Sequence, residues 1–143
     1  MISRYSSITA IGSFTAINGG ATDYLRIDPA KCTGGADPPL RTSIEAAPGE
    51  DGALILPPLD DAWIITLGGD LIIKSSSTES GYFSALDTLF ALLKTDLDGL
   101  KAAPGNLTHS GTTLKVWKYG AISDSWSNQI KSVTFGLVAD VFA

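Results

Sequence analysis

Residues 82–102, YFSALDTLFALLKTDLDGLKA, carry the strongest periodic pattern in the chain. Large apolar side chains recur there every three or four residues, which predicts one buried face of an amphipathic helix: Tyr82, Phe83, Leu86, Leu89, Phe90, Leu93, Leu97 and Leu100. Four charged residues fall on the opposite face, namely Asp87, Lys94, Asp98 and Lys101. Ser80 is the predicted N-cap, and Pro104-Gly105 ends the helix. An isolated helix gains too little from its own hydrogen bonds, so we expect this one to lie on a sheet.

Composition indicates one domain, residues 1–143, that is used in an assembly. Of the residues, 44% are hydrophobic and only 17% are charged. A small domain with so little charge is expected to cover part of its surface with other subunits, because exposed apolar patches mark interfaces. The formal net charge of −5 argues against a surface that grips nucleic acid, which needs clustered Lys and Arg.

The chain offers little for catalysis or for binding a metal or cofactor. It has one histidine, His109, and one cysteine, Cys32, so neither a usual zinc site nor an internal disulfide can be built from them. No nucleophile motif accompanies His109. We therefore expect no catalytic residue, no metal and no cofactor. No apolar run approaches the ~20 residues of a membrane helix, and the first residues lack the apolar core of a signal peptide, so we expect no membrane partner and synthesis in a cytoplasm.

The segment 28–50 differs from its surroundings because it is rich in proline and glycine and has no sustained period. A loop of about 20 residues in a compact domain is usually functional or disordered. Leu40 and Ile44 lie within it and favour burial, which predicts a long projecting loop or hairpin that a partner orders. A mobile excursion without function is the alternative.

The remaining patterns predict strands. Residues 5–17 suit an outer strand or an arm, and residues 23–27 a short strand. Residues 62–74 alternate with period two, and Gly68-Gly69 within them indicates a bulge or a close neighbouring backbone. Gly111 is the predicted turn of a hairpin whose second strand covers residues 112–119, and residues 130–142 alternate over a length that predicts a strand crossing a whole sheet.

Trp126 stands in a polar setting, ISDSWSNQ. Interfaces are enriched in tryptophan and tyrosine, so it is predicted to lie at the rim of a subunit contact. The alternative function is a monomeric β-rich carbohydrate- or ligand-binding module, in which Trp126 and Tyr119 would form the platform for the ligand.

Taken in order, an N-terminal β arm, a long Pro/Gly-rich loop, a strand pair, one helix, a hairpin and a closing strand resemble the tail-tube fold of long-tailed bacteriophages. The specific residues are 48–53, PGEDGA, followed by the strand 63–74. This stretch is similar to the N-terminal ring domain of distal tail proteins. The resemblance implies an α+β, mainly β fold: a β-sandwich or half-barrel with the helix of residues 82–102 packed on it.

The resemblance also implies a function. It implies a non-enzymatic structural protein of the virion tail, assembled in the host cytoplasm as a homohexameric ring that is either the tail tube subunit or a distal tail protein. Its partners would be further copies and neighbouring tail proteins (tail tube, distal tail or baseplate hub), with genomic DNA only as passing cargo. Many distal tail proteins carry a second, carbohydrate-binding-like domain, whereas this chain is expected to correspond to the first domain only. The residues expected at the ring interface are Pro38, Leu40, Arg41, Ile44, Pro57, Pro58 and Trp126, and those expected at the lumen are Asp70 and Asp140.

Overall fold

A computed structural model describes residues 2, 4–19, 21–35, 40–41, 44–46, 53–55, 59–60 and 63–139. Its strands are β1 (Ile8–Ile11), β2 (Tyr24–Ile27), β3 (Leu40–Arg41), β4 (Ile44–Ala46), β5 (Ala53–Ile55), β6 (Leu59–Asp60), β7 (Trp63–Ile72), β8 (Gly105–His109), β9 (Thr112–Ser127) and β10 (Ile130–Ala139). The helix α1 covers Glu79–Asp98. Short 3-10 turns cover Tyr5–Ser7, Pro29–Lys31 and Gly99–Lys101.

Six strands form one antiparallel sheet in the order β1-β8-β9-β10-β7-β2. Residues 14–18, which lie in sequence between β1 and β2, contact both of these outer strands. Phe14 bridges to Ile11 on the β1 side, and Ile17 bridges to Leu25 in β2. The sheet therefore curls into a nearly closed barrel or sandwich, and the predicted mainly β fold with one helix is confirmed.

One hydrophobic core joins the inner face of the sheet to the helix. Alternate residues of β7 and β10 point into it, and Phe135 lies directly opposite Leu67. Five of the predicted stripe residues on the helix and the following turn are buried there: Leu86, Leu89, Leu93, Leu97 and Leu100. Tyr82, Phe83 and Phe90 are partly buried against the same core. The predicted stripe thus faces the sheet, while its three aromatic members reach the rim.

The predicted N-cap was wrong by two residues. Thr78, not Ser80, caps the helix, because its Oγ1 accepts a hydrogen bond from the Gly81 N–H at 3.2 Å. Ser80 lies inside the first turn. The stretch 75–80 holds several hydroxyl residues in a row, and sequence alone does not determine which of them takes the extended backbone of a cap.

Of the two explanations offered for Gly68-Gly69, the close neighbouring backbone holds and the bulge does not. The pairing of β7 with β10 runs without a register shift from Asp70 to Trp63. A Cβ on Gly69 would lie 2.1 Å from the carbonyl oxygen of Arg26 in β2, and one on Gly68 would lie 2.8 Å from the Lys31 Cβ. These glycines let β2 and the turn at Pro29–Lys31 approach β7 closely.

The first part of the predicted 28–50 segment lies on the sheet. The Asp28 N–H donates to the Gly68 carbonyl at 2.9 Å, and Thr33 and Thr66 exchange two backbone hydrogen bonds. Cys32 is buried between them. Further along, β3 pairs with β6 and β4 with β5, both antiparallel, so the described residues of this segment form two short ladders. Residues 36–39, 42–43 and 47–52 lie outside the described residues, and projection of this segment stays a prediction.

Leu93→Ala tests the helix–sheet core. Leu93 is fully buried, so the truncation should lower the free energy of unfolding by about 2–5 kcal/mol through lost burial and an unfilled cavity. Chemical denaturation of both proteins measures it. Asp87→Ala, on the exposed face of the same helix, is the matched control and should change stability by less than about 0.5 kcal/mol. Equal effects of the two substitutions would refute the assignment of this stripe to the core.

Candidate interaction surface

The outer half of β9 presents an open sheet edge. β8 pairs with β9 only as far as Val116, which lies opposite Gly105. β9 then continues along β10 to Ser127. On its other side, residues 117–127 have no backbone partner among the residues that the structure describes. An open edge of this length is a ready template for a strand of another chain.

The two outermost strands of the sheet are covered instead. The Leu25 N–H in β2 donates to the Ala16 carbonyl at 2.9 Å. Asn18 bridges both edges, because its Nδ2 donates to the Ile8 carbonyl at 2.8 Å and its Oδ1 accepts from the Ile27 N–H at 2.9 Å. Backbone groups that would otherwise attract another strand are used inside the chain, so within the six-stranded sheet the edge of β9 is the one that stands open among the described residues.

The charged side chains of residues 117–127 are not free to repel another strand at this edge. The Lys118 side chain is 7% exposed, and its Nζ donates to the Asp98 carboxylate at the end of the helix. This hydrogen bond lowers the pKa of Asp98. Asp124 lies 3.5 Å from the Lys131 Nζ. Proteins commonly use free lysines on an edge strand to repel other strands, and here both charged residues of 117–127 are already paired.

A buried lysine holds the tip of the β9–β10 hairpin against the helix. Lys131 is 8% exposed, and its Nζ lies 3.8 Å from the ring centroid of Phe90 and 5.4 Å from that of Trp126. Cation–π contacts of this kind contribute about 0.5–2 kcal/mol. Phe83 packs on Trp126 with centroids 5.9 Å apart. The aromatic residues that the helix carries at its rim are therefore used to fix the hairpin.

Trp126 and Tyr119 do not form one platform. Residues directly opposite each other in an antiparallel pair point to the same face. Trp126 lies opposite Lys131 and Tyr119 opposite Gly136, so they lie on opposite faces of the hairpin. Both side chains are about half exposed, 51% for Trp126 and 52% for Tyr119. The prediction that Trp126 lies at a subunit contact stays open, and the shared platform was wrong.

Asp70 lies in an ion-pair cluster on the outer face of the sheet. Its Oδ1 accepts from the Ser132 hydroxyl at 2.6 Å and from the Lys31 Nζ at 3.1 Å, and its Oδ2 lies 3.5 Å from the Arg26 Nη2. Burial acts to raise the pKa of Asp70, but these hydrogen bonds outweigh it and lower the pKa overall. Two cations thus face this one carboxylate. Asp140 lies outside the described residues.

The other predicted interface residues are placed only in part. Pro38, Pro57 and Pro58 lie outside the described residues. Leu40 and Arg41 are in β3, whose backbone pairs with β6, and Ile44 is in β4, opposite Ile55. Their assignment to a ring interface stays a prediction.

Neither Lys131 nor the outer half of β9 was identified from the sequence. The predicted hairpin strand ended at Tyr119, whereas β9 runs on to Ser127. The signal was present, because serine alternates with Ile122, Asp124 and Trp126 through 122–127. The alternation is interrupted at Gly120, whose φ is +71°. In the structure β9 shifts its register against β10 at the same point, opposite Thr134–Gly136. The predicted strand was therefore not extended past this glycine.

No group of three or more His, Cys, Asp or Glu side chains that could hold a metal occurs in the part of the chain that the structure describes. No described helix is long and apolar enough to cross a membrane. His109 ends β8 and is 6% exposed, opposite Ile8 and Thr112. It lies among core residues.

His109 should make stability pH-dependent. Burial disfavours the imidazolium, so the pKa of His109 lies below its ordinary value. The unfolded chain takes up a proton below about pH 6.5 that the folded chain resists, and stability therefore falls as the pH drops below that value. His109→Gln should reduce the loss of stability between about pH 7 and pH 5. Denaturation at both pH values measures it, and an unchanged loss in the variant would contradict this.

Comparison with solved structures finds a fold-level likeness. The crystal structure of the Dit protein (gp 19.1) of phage SPP1, described as a paradigm of the hub adsorption apparatus in phages that infect Gram-positive bacteria, superposes with a TM-score of 0.51 at 17% identity. The match covers 82% of this chain and 45% of the Dit chain, so the matched region spans less than half the length of that protein. No family model and no curated protein sequence matches. The likeness is therefore one of fold, to part of a phage tail protein.

Proposed function

We propose that this protein is a structural subunit of a long-tailed phage tail, and that six copies close a ring that stacks into or caps the tail tube. The open edge of β9, in a chain whose fold resembles that of a tail protein, is the observation that supports the proposal. A strand of a second copy that pairs with residues 117–127 would satisfy the open backbone groups. The tail tube subunit and the distal tail protein are both compatible with this role.

The proposed ring requires a head-to-tail contact. The open edge lies on one side of the subunit, and the two outermost strands are already covered by residues 14–18. In a ring, the edge of β9 would have to meet a surface of the next copy other than its own equivalent strand, and such contacts close into rings when the rotation allows. The short ladders β3–β6 and β4–β5 have edges of their own, and this segment carries most of the residues proposed for the ring interface: Pro38, Leu40, Arg41, Ile44, Pro57 and Pro58.

The wall of the channel would bind passing DNA only weakly. Phosphate attraction grows with each Lys or Arg presented, and the chain has 10 of these against 15 Asp and Glu. The lumen residues proposed are Asp70 and Asp140. Because Lys31 and Arg26 offset the charge of Asp70, the case for a weakly binding wall rests on the overall acidic balance of the chain.

The ring contact can be tested by placing charge on the open edge. Ser125→Lys/Ser127→Lys adds two exposed lysines to the unpaired part of β9 and should convert rings to monomers with little change in the thermal melt. Thr112→Lys/Thr113→Lys is the matched control, because these exposed residues lie in the same strand where β8 covers its edge. Native mass spectrometry and negative-stain images measure the outcome.

A wild-type protein that stays monomeric at high concentration would contradict the ring. Rings that survive in the Ser125→Lys/Ser127→Lys variant would contradict the role of the β9 edge while leaving the ring intact.

DNA binding is predicted to be absent even at low salt. Fluorescence anisotropy of a labelled duplex should show no change with the protein at micromolar concentration, because the acidic balance gives no net release of counterions. Binding in the micromolar range that weakens as salt is added would reject the passive channel and favour a protein that grips nucleic acid.

A further inference from the structure

A cleft of about 470 Å³ opens between the start of α1 and the turn that joins β9 to β10. Residues 76–79 form one wall, residues 128–130 form the other, and the rings of Tyr82 and Phe83 line the space between them. These elements are far apart in sequence and come together because the aromatic side of the helix packs on the hairpin. The cleft is separate from the open edge of β9.

The aromatic lining is held in place. The Tyr82 hydroxyl donates to the Gln129 carbonyl at 2.8 Å and so joins the two walls. Tyr82 and Phe83 meet edge to face, with ring centroids 5.3 Å apart, and Phe83 is in turn packed on Trp126. A ring fixed on several sides offers a ready apolar surface and loses little freedom when a ligand covers it.

The turn carries two amide side chains at positions where glycine would adopt the same backbone conformation with less strain. Asn128 and Gln129 have φ of +47° and +67°, in the left-handed region that disfavours most side chains. The other hairpin turn of the sheet, between β8 and β9, places glycine at its second position, with Gly111 at +76°. Strain of this kind is commonly kept where a side chain is needed. Neither amide makes a side-chain hydrogen bond to another described residue, and both border the cleft.

The chemistry of the lining selects the ligand class. Amides and hydroxyls supply both donors and acceptors, Glu79 adds one carboxylate, and none of the described residues that line the cleft is a lysine or arginine. The absence of cations from this lining disfavours phosphates and other anions, and the polar walls disfavour a wholly apolar ligand. A sugar ring combines an apolar C–H face, which packs on an aromatic side chain, with hydroxyls that bond to amides. We propose that this cleft is a binding subsite for a neutral saccharide.

The test is saturation-transfer NMR on the full chain with methyl glycosides of glucose, galactose and N-acetylglucosamine, with glycerol as the non-cyclic polyol control. Transfer to at least one glycoside and none to glycerol is expected. Amide shifts should be confined to residues 76–83 and 126–130. Asn128→Gly/Gln129→Gly keeps a backbone suited to the turn but removes both amides, and should weaken the glycoside about tenfold. Ser110→Gly makes the same kind of change in the distant turn and should bind as wild type.

If the double variant melts lower than wild type, Asn128→Gly alone serves in its place, since asparagine and glycine both tolerate this conformation. No transfer to any of the three glycosides at millimolar concentration, shifts located elsewhere, or equal binding by the variant would each overturn the subsite. Loss of rings in the variant without glycoside binding in wild type would mean that the cleft is a subunit contact. Glycoside binding by a protein that forms no ring would keep the subsite and reject the ring.

Discussion

The fold depends on how the backbone hydrogen-bonding groups at the edges of the sheet find partners. A six-stranded sheet has two outer strands whose backbone groups require partners, and one short segment, residues 14–18, supplies them on both sides. The Asn18 side chain completes the closure by bonding to Ile8 and Ile27 at once. Because the sheet is closed there, the open edge among the described residues lies in the middle of the strand order, where β9 extends beyond the end of β8.

The curvature of the sheet also explains the position of the helix. A sheet that curls encloses one apolar face, and the leucines of α1 cover what the strands leave exposed. The helix is fixed by different chemistry along its length: Lys118 contacts Asp98 at the C-terminal end, Lys131 lies over Phe90 just past the middle, and Phe83 packs on Trp126 near the N-terminal end. As a result β9 and β10 are anchored to the helix along their length while the edge of β9 stays open. A rigid open edge suits assembly better than a mobile one, because less freedom is lost on pairing.

Sequence reasoning reached the fold class, the buried helix stripe and most strand positions because these depend on local periodicity. Leu86 and Leu93 are buried at the spacing that predicts it, and the glycines of β7 mark a close approach of backbone. What escaped prediction depends on distant pairings. Lys131 is buried because Phe90 of the helix and Trp126 of β9 both lie against it. The ion pairs of Asp70 bring together three separate segments of the chain. The open edge of β9 is visible only once the length of β8 is known.

Hydrogen–deuterium exchange on the assembled and the dissociated protein tests most directly whether the β9 edge is the contact between subunits. The outward amides of residues 117–127 should exchange fast in the monomer and slowly in the assembly, because a neighbouring strand would cover them. Residues 112–116, which β8 already covers, should be protected in both states. Fast exchange across 117–127 in a protein shown to be assembled would contradict the account.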